Sequence, residues 1–266
     1  MSLHVMALDR YLERRSLIHG ADARLKTGLT FVFILSVATL PTAQWPYLAA
    51  FGFLVWATVA ISRIGIVRAL RRTFIVLPFL VVAIPSLFSR QGEPIWTWGA
   101  GIVTLTPTVA GMEFVATIML KSWISVTAAV ALSATTRFGD IVAALHWFRL
   151  PDVLAAVLAM MYRYVFVLVG EAFRLLDARR ARSAETDGIK SGGTIRWRAR
   201  VTGNMIGSLF IRTINRSERV HMAMVSRGYS GSASKRSLGR LSGTDAVVFG
   251  LLFVAFLTLA AAGRLA

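Results

Sequence analysis

The chain contains no cysteine, which excludes disulfide bonds and thiolate metal sites within it. Charged residues are also scarce, because they make up 16% of the 266 residues, against about 25% in soluble domains. Acidic residues are scarcer than basic ones. The chain has 13 Asp and Glu and 30 Lys and Arg, which gives a net charge of +17. No G-x-x-x-x-G-K-[ST] phosphate loop occurs, so we expect no ATP site of that kind in this chain.

Apolar residues, in contrast, are abundant. They make up 56% of the chain, and the mean hydropathy is +0.63, which indicates an integral membrane protein. In a soluble protein the strong positive charge would suggest nucleic acid as a partner. In a membrane protein, Lys and Arg collect in cytoplasmic loops and meet anionic lipid headgroups. The composition therefore predicts the lipid bilayer as a partner and no nucleic acid.

Five apolar runs predict transmembrane helices, because each is close to the length that crosses a bilayer. They lie at 25–40, 47–61, 73–88, 108–132 and 246–262. Basic residues concentrate at 1–26, 63–72 and 134–240, whereas 41–46 and 89–107 are nearly free of them. This alternation predicts a multi-pass protein of the cell (inner) membrane with a cytoplasmic N-terminus and an external C-terminus. A further apolar run at 153–169 is interpreted as not crossing, since crossing would place one flanking basic segment on the wrong side.

The predicted fold is an all-α integral membrane protein with about five transmembrane helices plus long cytoplasmic or interfacial helices. Three regions follow: 1–133 with an N-terminal arm and transmembrane helices 1–4, 134–240 with the long helices, and 241–266 with the C-terminal transmembrane helix. Within the middle region, two long helical patterns run over 152–183 and 196–227.

The two long helical patterns end in similar triplets, in which an arginine stands between small residues. Small neighbouring residues let a helix end enter a groove, where arginine can form a bidentate pair with a carboxylate. Two such ends suit two equivalent pockets on a dimeric partner. The alternative is that these arginines complement helix dipoles and meet lipid headgroups. The triplets are Ala181, Arg182, Ser183 and Ser226, Arg227, Gly228, and Arg179 and Arg180 leave the register of the first one open.

Gly203 and Gly207 lie four residues apart in the second long pattern. This spacing predicts a surface at which another helix can cross at close range.

Three charges lie within apolar runs: Glu113, Lys121 and Arg163. Such charges favour a second hypothesis, a self-sufficient secondary transporter or channel that uses them along its path. That class of protein usually contains internal repeats, and none is visible here. A membrane-embedded enzyme would need a cluster of His, Asp or Glu. The four histidines are scattered and lack metal-ligand spacing, so we expect neither catalytic residues nor a metal site.

Several stretches resemble the transmembrane (T) component of energy-coupling factor (ECF) transporters, in the CbiQ branch associated with cobalt uptake. The resemblance covers nearly the whole chain. It is carried by Asp9-Arg-Tyr11, Asp22-Ala-Arg-Leu-Lys26, Phe138-Gly-Asp140 to Leu150-Pro151, Met161-Tyr-Arg-Tyr164, and Glu218-Arg-Val220 leading to Ser226-Arg-Gly-Tyr229.

The resemblance implies a non-catalytic coupling subunit of an ATP-driven importer. Its partners would be two ATP-binding cassette subunits and a substrate-binding membrane (S) subunit, with ATP bound by the partners and no cofactor in this chain. The family's Ala-Arg-Gly motifs dock into grooves of the ATPases, which makes Arg182 and Arg227 the implied docking residues. Neither triplet matches that motif fully, because the first ends in serine and the second begins with serine. The family branch implies cobalt, with nickel or a vitamin as open alternatives.

Overall fold

A computed structural model of the chain describes residues 16–74, 83–88, 98–100, 103–105, 108–182, 194–231 and 243–265. Residues 83–88 are helical. The other helices are α1 (Leu17–Gly20), α2 (Ala23–Thr39), α3 (Trp45–Ile61), α4 (Ile66–Thr73), α5 (Val109–Thr135), α6 (Phe138–Trp147), α7 (Asp152–Arg182), α8 (Ile195–Ser226) and α9 (Gly243–Leu265).

The all-α membrane fold predicted from the sequence is confirmed, with one small addition. Strands β1 (Trp98–Ala100) and β2 (Val103–Leu105) pair as an antiparallel two-stranded ribbon, in which Gly99 lies opposite Thr104. Both strands lie in the stretch 89–107 between two predicted spans, and the sequence pattern did not predict them.

The described residues divide into two compact units, one within residues 10–145 and 237–266 and the other within residues 146–236. Among the described elements, the first unit holds α1 to α5, α6 as far as Leu145, and α9. The second holds α7 and α8. The C-terminal helix α9, a region of its own in the division based on sequence, therefore packs with the N-terminal helices, chiefly against α2.

Helices α2, α3, α5 and α9 enclose the core of the first unit. Phe33 of α2 meets Phe51 of α3 and Phe256 of α9 edge to face, with ring centroids 5.4 Å apart in both pairs. Ile124 and Ala128 contribute the α5 side of this cluster. Edge-to-face aromatic pairs add to the free energy gained from burial, so three helices are joined at one point.

Polarity in this unit is distributed as in a protein surrounded by lipid. Thr27, Thr117 and Thr127 are buried between helices, whereas Phe53 is 76% exposed and Leu251 is 68% exposed. Small polar residues let membrane helices approach closely and bond to one another's backbone. Large exposed apolar side chains would be unfavourable in water, and they indicate that these surfaces face hydrocarbon.

Three described helices are long and apolar enough to cross a membrane: α5, α7 and the 245–265 part of α9. The predicted spans at 25–40 and 47–61 are helices of 17 residues each, α2 and α3, which reach about 25 Å. The predicted span at 73–88 lies in part outside the described residues. Since α7 meets the length and composition criteria, the interpretation that it does not cross rests on charge alone and stays a prediction.

Candidate functional site

Helix α7 starts beside a proline and ends in a basic turn. The Pro151 carbonyl accepts a hydrogen bond from the Ala155 amide at 3.1 Å, and Asp152 in the first turn contacts the His146 ring at the end of α6. An acid at this end complements the helix dipole. The helix continues for 31 residues, or about 46 Å.

Helix α8 has a capped amino end and no buried residue. The Thr194 hydroxyl accepts a hydrogen bond from the Trp197 amide at 3.3 Å, which satisfies one of the free amides of the first turn. None of the 32 residues of α8 is buried within this chain. Large apolar side chains such as Phe210 (65% exposed) and Met222 (68% exposed) are therefore available to lipid or to a partner.

The carboxyl end of α8 is fixed by a Schellman motif. Gly228 has φ +83 and its amide donates to the Val225 carbonyl at 2.9 Å, while the Tyr229 amide donates to the Met224 carbonyl at 3.0 Å. These two bonds satisfy the last free carbonyls of a helix. Gly228 supplies the left-handed residue that this cap requires, and the cap holds Arg227 in an exposed position at the helix end.

The first triplet is described only in part, because Ser183 lies outside the described residues. Ala181 and Arg182 are exposed and form the last residues of α7. Of the neighbouring arginines, Arg180 forms an ion pair with Asp177 of the same helix at 3.5 Å. That local engagement favours Arg182 over Arg180 as the arginine presented at the helix end.

An ion cluster between α7 and α8 was not predicted. Arg216 Nη2 lies 2.9 Å from Glu171 Oε2, and Arg212 Nη1 lies 3.9 Å from Glu171 Oε1. The Glu171 side chain is only 16% exposed. A signal was present in the sequence, since Glu171 is an acid at the start of a basic helix end and Arg212 and Arg216 are spaced by one helical turn.

Gly203 and Gly207 do not mark a contact between described helices of this chain. Both are exposed, and a Cβ added at either position would meet no atom within 4 Å. An ion contact between the two long helices lies instead at Glu171. A crossing at these glycines by a partner's helix stays a prediction.

The three charges in apolar runs have different surroundings. Lys121 donates a hydrogen bond to the main-chain carbonyl of Leu40, at the carboxyl end of α2. Glu113 and Arg163 are exposed within this chain. The Lys121 ammonium thus has a structural partner, as expected when a membrane charge pairs with a neighbouring helix.

A second lysine contact belongs to one of the stretches that carry the family resemblance. Lys26 Nζ donates to the Thr135 carbonyl at 3.2 Å and to the His19 carbonyl at 3.4 Å. Asp22 caps α2 by accepting from the Arg24 amide at 2.8 Å. The Asp22–Lys26 stretch therefore fastens the start of α2 to the end of α5, which is a structural role.

Among the described residues, no group of three or more His, Asp or Glu side chains could hold a metal ion. Two described features bear on function: the exposed arginine ends, at Arg182 and Arg227, and the ion cluster that joins their helices.

Comparison with known proteins gives a consistent family. The chain is 27% identical over 260 residues to the "Energy-coupling factor transporter transmembrane protein EcfT" of Ruminiclostridium cellulolyticum, with 94% of each chain covered. It is 25% identical to an uncharacterized protein of Methanocaldococcus jannaschii, over 84% of this chain and 75% of the relative. A "Putative fused cobalt transport protein CbiMQ" of Methanocorpusculum labreanum is 26% identical over 78% of this chain and 35% of its own length.

The family assignment rests on most of the sequence rather than on one motif. The family model for CbiQ, described as "Cobalt transport protein", matches residues 14–238. That range includes both long helices and both arginine ends. The chain belongs to the CbiQ family of cobalt transport proteins.

Proposed function

We infer that this protein is the transmembrane coupling subunit of an ECF-type importer. It is a membrane scaffold that performs no catalysis itself, and it passes the motion of two ATP-binding subunits to a substrate-binding membrane subunit. The relatives named as ECF transmembrane proteins support this function. ATP is bound and hydrolysed by the partners, and we assign no cofactor to this chain.

The observation that carries the proposal is the pair of exposed arginine ends on two joined helices. Arg182 ends α7, and Arg227 is held at the end of α8 by its glycine cap. Each guanidinium presents several N–H donors in a fixed plane, which suits a carboxylate at the bottom of a groove. Two such ends match the two related grooves of an ATPase pair.

Motion would pass through the second unit. Closure of the ATPase pair on ATP displaces the two docked helix ends, and the long helices carry that displacement to surfaces that meet the substrate-binding subunit. The exposed apolar side chains of α8 provide such a surface. The protein lies in the cell (inner) membrane with its N-terminus and both arginine ends on the cytoplasmic side, where ATP is available.

Copurification of the chain with its ATPases tests the docking proposal. We expect Arg182→Ala and Arg227→Ala each to weaken assembly, and the double substitution to abolish assembly and ATP-dependent uptake. Arg174→Ala and Arg219→Ala are matched controls, because both remove an exposed arginine from the same helices away from the ends. Unchanged assembly and uptake in the double variant would refute docking through these residues.

We propose a cobalt ion as the transported substrate, on the basis of the family description and the fused relative's name. Selection belongs to the substrate-binding subunit in this scheme. Uptake of Co²⁺ by the reconstituted complex, measured against Ni²⁺ and against vitamins, tests the assignment. Transport of a vitamin with no Co²⁺ uptake would overturn the substrate and leave the coupling function intact.

The alternative of a self-sufficient transporter through Glu113, Lys121 and Arg163 is less well supported. The Lys121 ammonium already bonds to the Leu40 carbonyl. Uptake by the chain alone, reconstituted into vesicles without ATPases, would favour that alternative.

A further inference from the structure

A polar contact joins the two long helices of the second unit. Glu171 of α7 offers its two carboxylate oxygens to two arginines of α8, with Arg216 at 2.9 Å and Arg212 at 3.9 Å. Hydrogen bonds between ionised groups are roughly twice as strong as neutral ones. The Glu171 side chain is mostly shielded, at 16% exposed, so solvent screens this pair less than it screens a surface pair.

Apolar side chains beside this ion contact are half-buried within the chain, among them Leu168 and Leu175 of α7 and Leu209 and Val220 of α8. No residue of α8 is buried, and the only buried residues of α7 are Ala155 and Ala156, near the opposite end from Arg182. The ion contact at Glu171 therefore adds a directional constraint to partial apolar packing near the basic ends of α7 and α8.

The ion pair lies at the same distance, counted in residues, from the arginine end of each helix. Arg182 follows Glu171 by eleven residues, and Arg227 follows Arg216 by eleven residues. Eleven residues of α-helix span about 16 Å and return to within about 20° of the same face. The two docking arginines thus lie at equal distances from the ion pair, on nearly the same helix faces as the residues that form it.

We propose that the Glu171–Arg216 ion pair is the fulcrum of the two long helices. The ion pair fixes the point at which α7 and α8 cross. The helix segments from this point to Arg182 and to Arg227 have equal length. Displacement of those two ends by the ATPases therefore changes the angle between α7 and α8. Arg212, one turn from Arg216, keeps the carboxylate partnered as the angle changes. Glu171, Arg212 and Arg216 are positioning residues, and this role rests on the proposed coupling function.

The geometry can be tested in the full chain without partners. Because the chain has no cysteine, Ala178→Cys and Ala223→Cys introduce a unique pair of exposed spin-label sites, each seven residues beyond the ion pair. We expect a narrow distance distribution in the parent, and a broader, displaced one in Glu171→Gln. The charge exchange Glu171→Arg with Arg216→Glu should restore the narrow distribution.

Two further variants sharpen this test. Arg216→Gln should broaden the distribution more than Arg212→Gln, because Arg216 makes the shorter contact. Glu218→Gln is the matched control, since Glu218 is an exposed carboxylate of α8 without an ion pair among the described residues. An unchanged distribution in Glu171→Gln, or no recovery on charge exchange, would overturn the fulcrum.

The assembled transporter separates this inference from the docking proposal. Glu171→Gln should keep its ATPases on copurification but lose uptake by about tenfold, the factor that corresponds to one charge-assisted hydrogen bond. The charge exchange should recover uptake. Normal uptake in an assembled Glu171→Gln complex refutes the fulcrum alone, whereas assembly that survives loss of both Arg182 and Arg227 refutes the docking function itself.

Discussion

The Lys121 ammonium, near the middle of α5, donates a hydrogen bond to the main-chain carbonyl of Leu40, where α2 ends. A carbonyl at a helix end has no partner within its own helix, and in hydrocarbon no water is available to supply one. This lysine therefore completes the end of a neighbouring helix.

Replacement of Lys121 by methionine tests that role. We expect Lys121→Met to lower the free energy of unfolding by about 1–3 kcal/mol, because it leaves the Leu40 carbonyl unsatisfied. Thermal unfolding in detergent measures the change, and uptake by the complex should persist below the new midpoint. Full stability combined with complete loss of uptake would instead favour a transport path through Lys121.

Substitution of Gly228 tests the cap that presents Arg227. A Cβ at this position meets no atom within 4 Å, so any cost of Gly228→Ala comes from its φ of +83. That conformation costs an L-residue about 1–2 kcal/mol, and we expect weaker assembly with the ATPases. Gly228→Asn should be milder, because asparagine tolerates the left-handed region.

Gly203→Ala provides the contrast on the same helix. Gly203 is helical and its Cβ would also meet open space, so alanine should stabilise α8 by about 0.5–1 kcal/mol. Assembly assays on both variants separate the cap from a general effect of glycine replacement. Equal effects of the two substitutions would contradict a special role for the cap.

Larger side chains at Gly203 and Gly207 test the predicted crossing by a partner's helix. Gly203→Leu and Gly207→Leu should leave the isolated chain as stable as the parent, since nothing in the described structure lies within 4 Å. If a helix of the substrate-binding subunit crosses there, copurification of that subunit is lost while the ATPases remain bound. Retention of both partners would show that no close crossing uses these glycines.

Gly111 tests packing at the start of α5. A Cβ on Gly111 would lie 2.5 Å from the Leu87 main-chain oxygen, and a backbone atom cannot move aside as a side-chain tip can. We expect Gly111→Ala to lower the free energy of unfolding by about 1–3 kcal/mol. Gly250→Ala in α9, where the added Cβ meets nothing within 4 Å, is the control and should be neutral or stabilising.

Much of the fold could be predicted from the sequence because hydrophobic run length and charge placement act locally. The apolar runs at 25–40, 47–61, 108–132 and 246–262 correspond to α2, α3, α5 and α9. The end of α8 was likewise predictable, since Gly228 meets a requirement of its own backbone. The strands β1 and β2 were missed because three-residue strands carry almost no periodic signal.

The sequence by itself determined that this is a helical membrane protein of the CbiQ type, with two long helices ending in arginines. These properties follow from composition, run length and short motifs, each of which is read within a few turns of chain. Only the tertiary structure decided which helices meet and through which atoms. Glu171 and Arg216 are 45 residues apart, as Leu40 and Lys121 are 81 apart, and an ion pair or a cap across such distances depends on packing that no local pattern encodes.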